Sequence, residues 1–264
     1  NGEICKLCVG KKIPVHAITK KCYRKDVGAS SVVVAMLSVH NFLNTWKNKI
    51  DGLICVSHFV KEQLLSAGFE NNKLHIKYNF VCSDVPPNYE DGKYYIYAGR
   101  LSEEKGITEM LEAFKNTERR LVIVGDGPMR EQVEIYSKQN NNITWCGKRS
   151  LNEIYEMIAD AKALIFPSKW HEPFGRTIIE AFAHGTPVIA SALGGVKELV
   201  TDNYNGFLFD PYKKEDISRA IFEFENFKDR SGLRSNCYHS YVSNFTPSIN
   251  YKQLISIYNK VLSS

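Results

Sequence analysis

The stretch YYIYAGRLSEEKGITEMLEAFKNTERRLVIVGDGP, residues 94–128, decides the fold. Residues 94–98 are apolar or aromatic throughout and stop at Gly99, as a strand covered on both faces does. Ile107, Met110, Leu111 and Phe114 then fall at i, i+3, i+4 and i+7, one face of a helix. Residues 121–124 (LVIV) are a second buried strand, closed by Gly125-Asp126-Gly127-Pro128. Pro128 suits the first turn of a further helix.

Towards the C-terminus the alternation continues. Strands are expected at 143–146, 163–166, 187–190 and 206–209, and helices at 151–159, 176–183 and 196–200. Helices near 213–227 and 230–243 follow. Apolar strands separated by helices predict a parallel, doubly wound, Rossmann-like α/β domain over 93–243. Towards the N-terminus, residues 83–92 (SDVPPNYEDG) read as a linker. Before it, within 1–82, lie a helix at 31–46, a strand at 53–56 and a helix at 59–67. This piece is too small for a sheet of its own. Either it joins the large sheet or the rest of its domain lies upstream, and the second is expected. Residues 244–264 hold a last helix whose apolar face (Tyr251, Leu254, Ile255, Tyr258, Val261) is expected to pack back on the N-terminal part.

Hydrophobic residues make up 44% of the 264 and charged residues 24%, an ordinary globular balance. The longest apolar run, 32–37, is far too short to cross a bilayer. The start shows no signal-peptide pattern. Net charge is +5, and the excess sits in residues 1–25, where seven Lys and Arg face Glu3 alone. The remainder is close to neutral, which excludes a nucleic-acid binder acting by charge. The basic start suits an anionic membrane surface as well as it suits a solvated terminus. Cys55, Cys82, Cys146 and Cys237 are scattered, which points to a reducing cytoplasm.

Ligands of open parallel sheets sit beyond the carboxyl ends of the strands, so the strand-to-helix turns hold the candidates. In GRLSEEKG (99–106), Arg100 and Lys105 frame the start of a helix, an anion site suited to a diphosphate. GDGPMR (125–130) opens like a dinucleotide fingerprint but has Arg130 where close helix packing asks for glycine. That argues against a nicotinamide enzyme. In HEPFGRTIIE (171–180), Glu172 lies in the loop and Gly175 permits close backbone approach. Amides near Arg176 and Thr177 are placed to face a phosphate, and Glu180, a turn into the helix, is able to accept both hydroxyls of a ribose. In LGGVKE (193–198), paired glycines let a ligand sit on the backbone. Singly, each turn reads equally as a tight turn or as solvated surface.

Together, YAGRLSEEKG (97–106), VGDGP (124–128), FPSKWHEPFGRTIIEAFAHGTPVIAS (166–191), GGVKELV (194–200) and NGFLF (205–209) resemble the C-terminal domain of family 4 glycosyltransferases of the GT-B type. NGEICKLCVGKK (1–12), KCYRKD (21–26), DGLICVSHFVKEQLLSAGF (51–69) and YNFV (78–81) look like the latter part of that family's acceptor-side domain. The resemblance implies a complete C-terminal Rossmann-like domain plus the end of an N-terminal one. The family's opening strands, with a glycine-rich loop and an acceptor-side His, are not in the sequence, so an N-terminal truncation is expected.

The resemblance further implies a sugar transfer that retains anomeric configuration and needs no metal or other cofactor. The donor is a UDP- or GDP-linked sugar, and the acceptor a glycan or a lipid-linked molecule at the cytoplasmic membrane face. Arg100 and Lys105 bind the diphosphate. Glu180 holds the ribose, and Glu172, the catalytic candidate, meets the transferred sugar. Backbone from Phe174 through Gly175 and Arg176 to Thr177 completes the cradle. The base lies near Gly147 and Lys148. The alternative is a non-catalytic nucleotide-sugar-binding subunit, or a truncated inactive fragment, that supports a partner transferase. Cys5, Cys8 and Cys22 are candidate ligands of a structural zinc, with His16 or an upstream residue as the fourth, or else spare thiols.

Overall fold

The structure, a computed structural model, describes residues 5 and 7–263. Glu3 and Lys6 of the basic start lie outside the described residues, and the other six cations there are exposed. The chain divides into two units, Asn1–Lys77 with Leu254–Ser264, and Tyr78–Gln253.

In the first unit, the helix Val27–Phe42 starts four residues before the expected position because Asp26 caps it, accepting the Ala29 N–H at 2.6 Å. It ends where Asn44 turns left-handed at φ +49°. Strand β1 (Leu53–Cys55) leads through Ser57, which caps the helix His58–Ser66, to β2 (Leu74–Ile76). The two strands pair in parallel as a separate two-stranded sheet, so this piece does not join the large one. Strand β2 escapes a sequence reading because Leu74-His75-Ile76 is short and has a polar centre.

The helix Pro247–Leu262 corrects the expected apolar face. Tyr251, Ile255 and Tyr258 are exposed, and the inner row is Asn250, Gln253, Leu254, Ile257 and Val261. Asn250 fixes that choice, because its side-chain amide donates to Tyr78 O at 2.6 Å. Only the part from Leu254 onward groups with the first unit.

In the second unit, six parallel strands form one sheet: β3 (Tyr94–Ala98), β4 (Leu121–Val124), β5 (Ile143–Trp145), β6 (Ala161–Phe166), β7 (Val188–Ser191) and β8 (Gly206–Phe209). Their order is β5-β4-β3-β6-β7-β8, so the winding reverses between β3 and β6. The helical face read from the sequence is the buried one: Ile107, Met110, Leu111 and Phe114 are fully buried against Tyr95, Leu121 and Ile123. Ser150 and Glu153 form a capping box on the helix Leu151–Ala159.

The segment 83–92 is not a free linker. Asn88 N–H donates to His184 O at 3.0 Å, and its side-chain amide donates to Ala159 O at 3.2 Å. Buried Arg234 donates from Nε to Asn88 O at 3.0 Å and through its other nitrogens to Ala159 O and Ala161 O. These bonds place the segment in the second unit, so the division falls after Lys77 rather than at residue 82.

Candidate functional site

The turns after β3, β4, β5 and β6 and the turn after β7 all leave the carboxyl edge of the sheet, and backbone contacts lock them together. Gly99 N–H donates to Val124 O at 3.0 Å, Leu101 N–H to Asp126 O at 3.0 Å and Gly125 N–H to Gly147 O at 2.9 Å. Gly195 N–H donates to Glu172 O at 2.8 Å, which joins the turn after β7 to the turn after β6. Gly106 has φ +69°, and a Cβ there would lie 1.9 Å from Pro167 O. Only glycine lets these two backbones approach so closely.

This packing brings Lys105 onto Glu172. The two side chains form an ion pair, and Ser168 donates from Oγ to the same carboxylate oxygen, Oε1, at 2.9 Å. Glu172 is held deep, with 12% of its side chain exposed. Lys169, next to Ser168, pairs with Glu109 at 2.6 Å, and its N–H donates to Glu104 O at 2.8 Å. Arg100 is exposed, and among the described residues its guanidinium has no ion-pair or hydrogen-bond partner. Beneath it, the buried Tyr97 hydroxyl donates to Arg100 O at 2.7 Å, and burial keeps that phenol protonated well past its usual range.

Glu180 has its own cation. Arg176 Nε lies 3.3 Å from Glu180 Oε1, with 64% of the arginine side chain exposed against 11% of the glutamate. Burial raises the Glu180 carboxyl above its ordinary value, and Arg176 partly opposes the shift. Buried His184 seats the end of this helix: Nδ1 bonds Glu180 O at 2.7 Å and Nε2 bonds Ser83 Oγ at 2.9 Å. A carbonyl only accepts, so Nδ1 carries the proton and the Ser83 hydroxyl donates to Nε2.

The other expected residues are placed as follows. Gly175, at the start of the helix Arg176–Ala183, is buried and Thr177 half-buried. Phe174 is buried, its ring packed against Tyr78 and Phe245 with centroids 5.7 and 6.0 Å away, so its side chain serves packing. Lys148 is exposed and pairs with Asp126 at 3.5 Å. Arg130 opens the helix Arg130–Gln139 and stacks over Trp145 at 4.9 Å. The structure does not bring Cys5, Cys8 and Cys22 together. Among the described residues no three His, Cys, Asp or Glu side chains are grouped to hold a metal ion, and Cys8 Sγ instead donates to Pro14 O at 3.6 Å. Ser168, Tyr97 and His184 are the residues that the sequence reading misses. Ser168, two residues beyond the end of β6 and four before Glu172, was the one open to discovery by position.

Known proteins agree with this architecture. The family model described as glycosyl transferases group 1 matches residues 83–239, more than half of the chain. An uncharacterized glycosyltransferase of Methanocaldococcus jannaschii is 31% identical over 178 residues, covering 67% of this chain and 50% of its own length. The lipopolysaccharide 1,2-N-acetylglucosaminetransferase of Salmonella typhimurium is 30% identical over 172 residues, covering 58% and 45%. The chain thus spans about half the length of these relatives. Among solved structures, sucrose-phosphate synthase from Thermosynechococcus elongatus superposes with a TM-score of 0.72 at 19% identity, over 94% of this chain and 66% of that one. Anabaena HepE in complex with UDP and glucose superposes at 0.69 and 22% identity, over 79% and 63%. Among the described residues no helix is long and apolar enough to cross a membrane. With its parallel α/β sheets matching those of GT-B structures and its family model covering the whole carboxyl edge of the large sheet, this chain belongs to the group 1 glycosyl transferases.

Proposed function

We propose that this chain carries the donor site of a retaining glycosyltransferase that uses a UDP- or GDP-linked sugar and needs no metal ion. The observation that carries the reading is the Lys105–Glu172 pair, which joins the turn after β3 to the turn after β6. Arg100 and Lys105 bind the diphosphate, and their charge stabilises it as it leaves. Glu180, largely buried and able to accept two bonds, takes the ribose hydroxyls. Glu172, steadied by Ser168, meets the transferred sugar beside its anomeric carbon. Gly147 and Lys148 lie against the base, and backbone from Phe174 to Thr177 lines the cradle. The anomeric carbon–oxygen bond to phosphate breaks while an acceptor hydroxyl adds from the same face, its proton passing to the departing phosphate oxygen. A glycan or lipid-linked acceptor fits the relatives' names, and the exposed cations of the first unit suit an anionic membrane face.

Calorimetry with UDP and GDP tests the site. One of them should bind, and Arg100→Ala and Lys105→Ala should each weaken it at least tenfold. Binding of neither, or binding indifferent to both substitutions, refutes the donor assignment. The anomeric configuration of the product, read by NMR, tests retention.

A further inference from the structure

The loop 168–172 is pinned by bonds from several sides. Lys169 N–H donates to Glu104 O at 2.8 Å, and Lys169 Nζ holds Glu109. Glu172 N–H donates to Trp170 O at 2.9 Å, and Trp170 N–H donates to Ser168 Oγ at 3.3 Å. The Tyr212 hydroxyl, from the turn after β8, donates to Lys169 O at 3.1 Å. Every one of these bonds uses backbone or a neighbour's side chain. The Trp170 indole takes part in none of them, is 53% exposed, and has no ring or hydrogen-bond partner among the described residues. Folding of the loop therefore does not account for a tryptophan at this position. An exposed lysine would serve the backbone bonds equally and would leave less apolar surface in water.

A pyranose has a flat C–H face with a polar rim, and such a face packs on an indole whose N–H remains free to donate. Trp170 shares its backbone bonds with Glu172 and Ser168, the two groups at the reacting end of the donor. We infer that Trp170 is a specificity-determining residue that packs against the transferred sugar, and that Tyr212 is a positioning residue that holds its loop through Lys169 O. The inference rests on the donor assignment above.

The test uses the nucleotide sugar that gives the largest thermal shift in a panel of UDP- and GDP-sugars, compared with its own nucleoside diphosphate. Trp170→Ala should weaken the nucleotide sugar about tenfold and leave the nucleoside diphosphate within twofold. Trp170→Phe should fall between. Tyr212→Phe should shift the same ratio by a smaller factor. Equal weakening of both ligands by Trp170→Ala, or no weakening of either, overturns the inference while the donor assignment stands. If wild type binds neither nucleoside diphosphate, the donor assignment itself has failed and the inference falls with it.

Discussion

Gly106 and Gly147 share a positive φ, +69° and +68°, and differ in what surrounds them. An alanine Cβ at 106 would sit 1.9 Å from Pro167 O and 2.9 Å from its carbonyl carbon, whereas at 147 the nearest atom is Trp145 Cζ2 at 4.0 Å. The left-handed conformation costs any alanine about 1–2 kcal/mol, and this term is common to both. At 106 the two turns must also part by more than about 1 Å to reach a tolerable contact. That movement strains the Lys169 N–H bond to Glu104 O, worth about 1 kcal/mol, and the packing beneath it. Gly106→Ala should thus lose about 3 kcal/mol and Gly147→Ala about 1 kcal/mol. Urea unfolding at constant m-value measures both. Gly106→Ala should also weaken UDP or GDP, because Lys105 is carried away from Glu172. Equal losses for the two variants would mean that the turn after β3 is not braced by Pro167, and the reasoning fails.

Glu180→Gln should raise thermal stability and weaken UDP or GDP about thirtyfold, the factor for about 2 kcal/mol when two charge-assisted bonds become neutral ones. Because the folded carboxyl is raised above its unfolded value, the stability gain should be largest at alkaline pH. It should vanish as pH falls below the ordinary carboxylate range, which melting curves across pH would show. His184 is held neutral by burial, its folded value lying below the ordinary one of about 6.5. Its contribution is complete above that pH and is lost as pH falls through the folded value, so His184→Gln should flatten the acid side of the stability profile. Arg234→Met removes the guanidinium bonds to the carbonyls of Asn88, Ala159 and Ala161, leaves Ala159 O only the Asn88 side-chain amide, and should cost about 3 kcal/mol in urea unfolding, with the diphosphate site unaltered.

The large sheet was legible because its strands are apolar along their length and its helices carry clean faces. The face of the helix Ile107–Phe114 was read residue for residue. Helix starts were less legible where a cap decides them, as Asp26 does. The face of the last helix is not legible from its aromatic residues, because a single buried amide, Asn250, sets the rotation and leaves Tyr251 and Tyr258 outward. Residues 83–92 look like a linker by composition, yet the contacts that hold them come from Arg234, more than a hundred positions away. The strand-to-helix turns at the carboxyl edge were readable from glycines and charges after strands. Arg176 and Glu180 sit at i, i+4 and their pairing was open to the spacing, but Lys105 and Glu172 meet only through the fold, so the spacing could not give that Glu172 already holds a cation.

The mutual bracing of the turns has a thermodynamic consequence. On the proposed donor site, a nucleotide at the carboxyl edge would meet backbone amides already ordered by their neighbours, so little chain entropy would remain to be lost on binding. The same bracing forbids length changes in any one turn, since an inserted residue would break bonds in two others. Variation among related chains at this edge should therefore be confined to exposed side chains such as Trp170, with the backbone of the turns kept as a fixed mould.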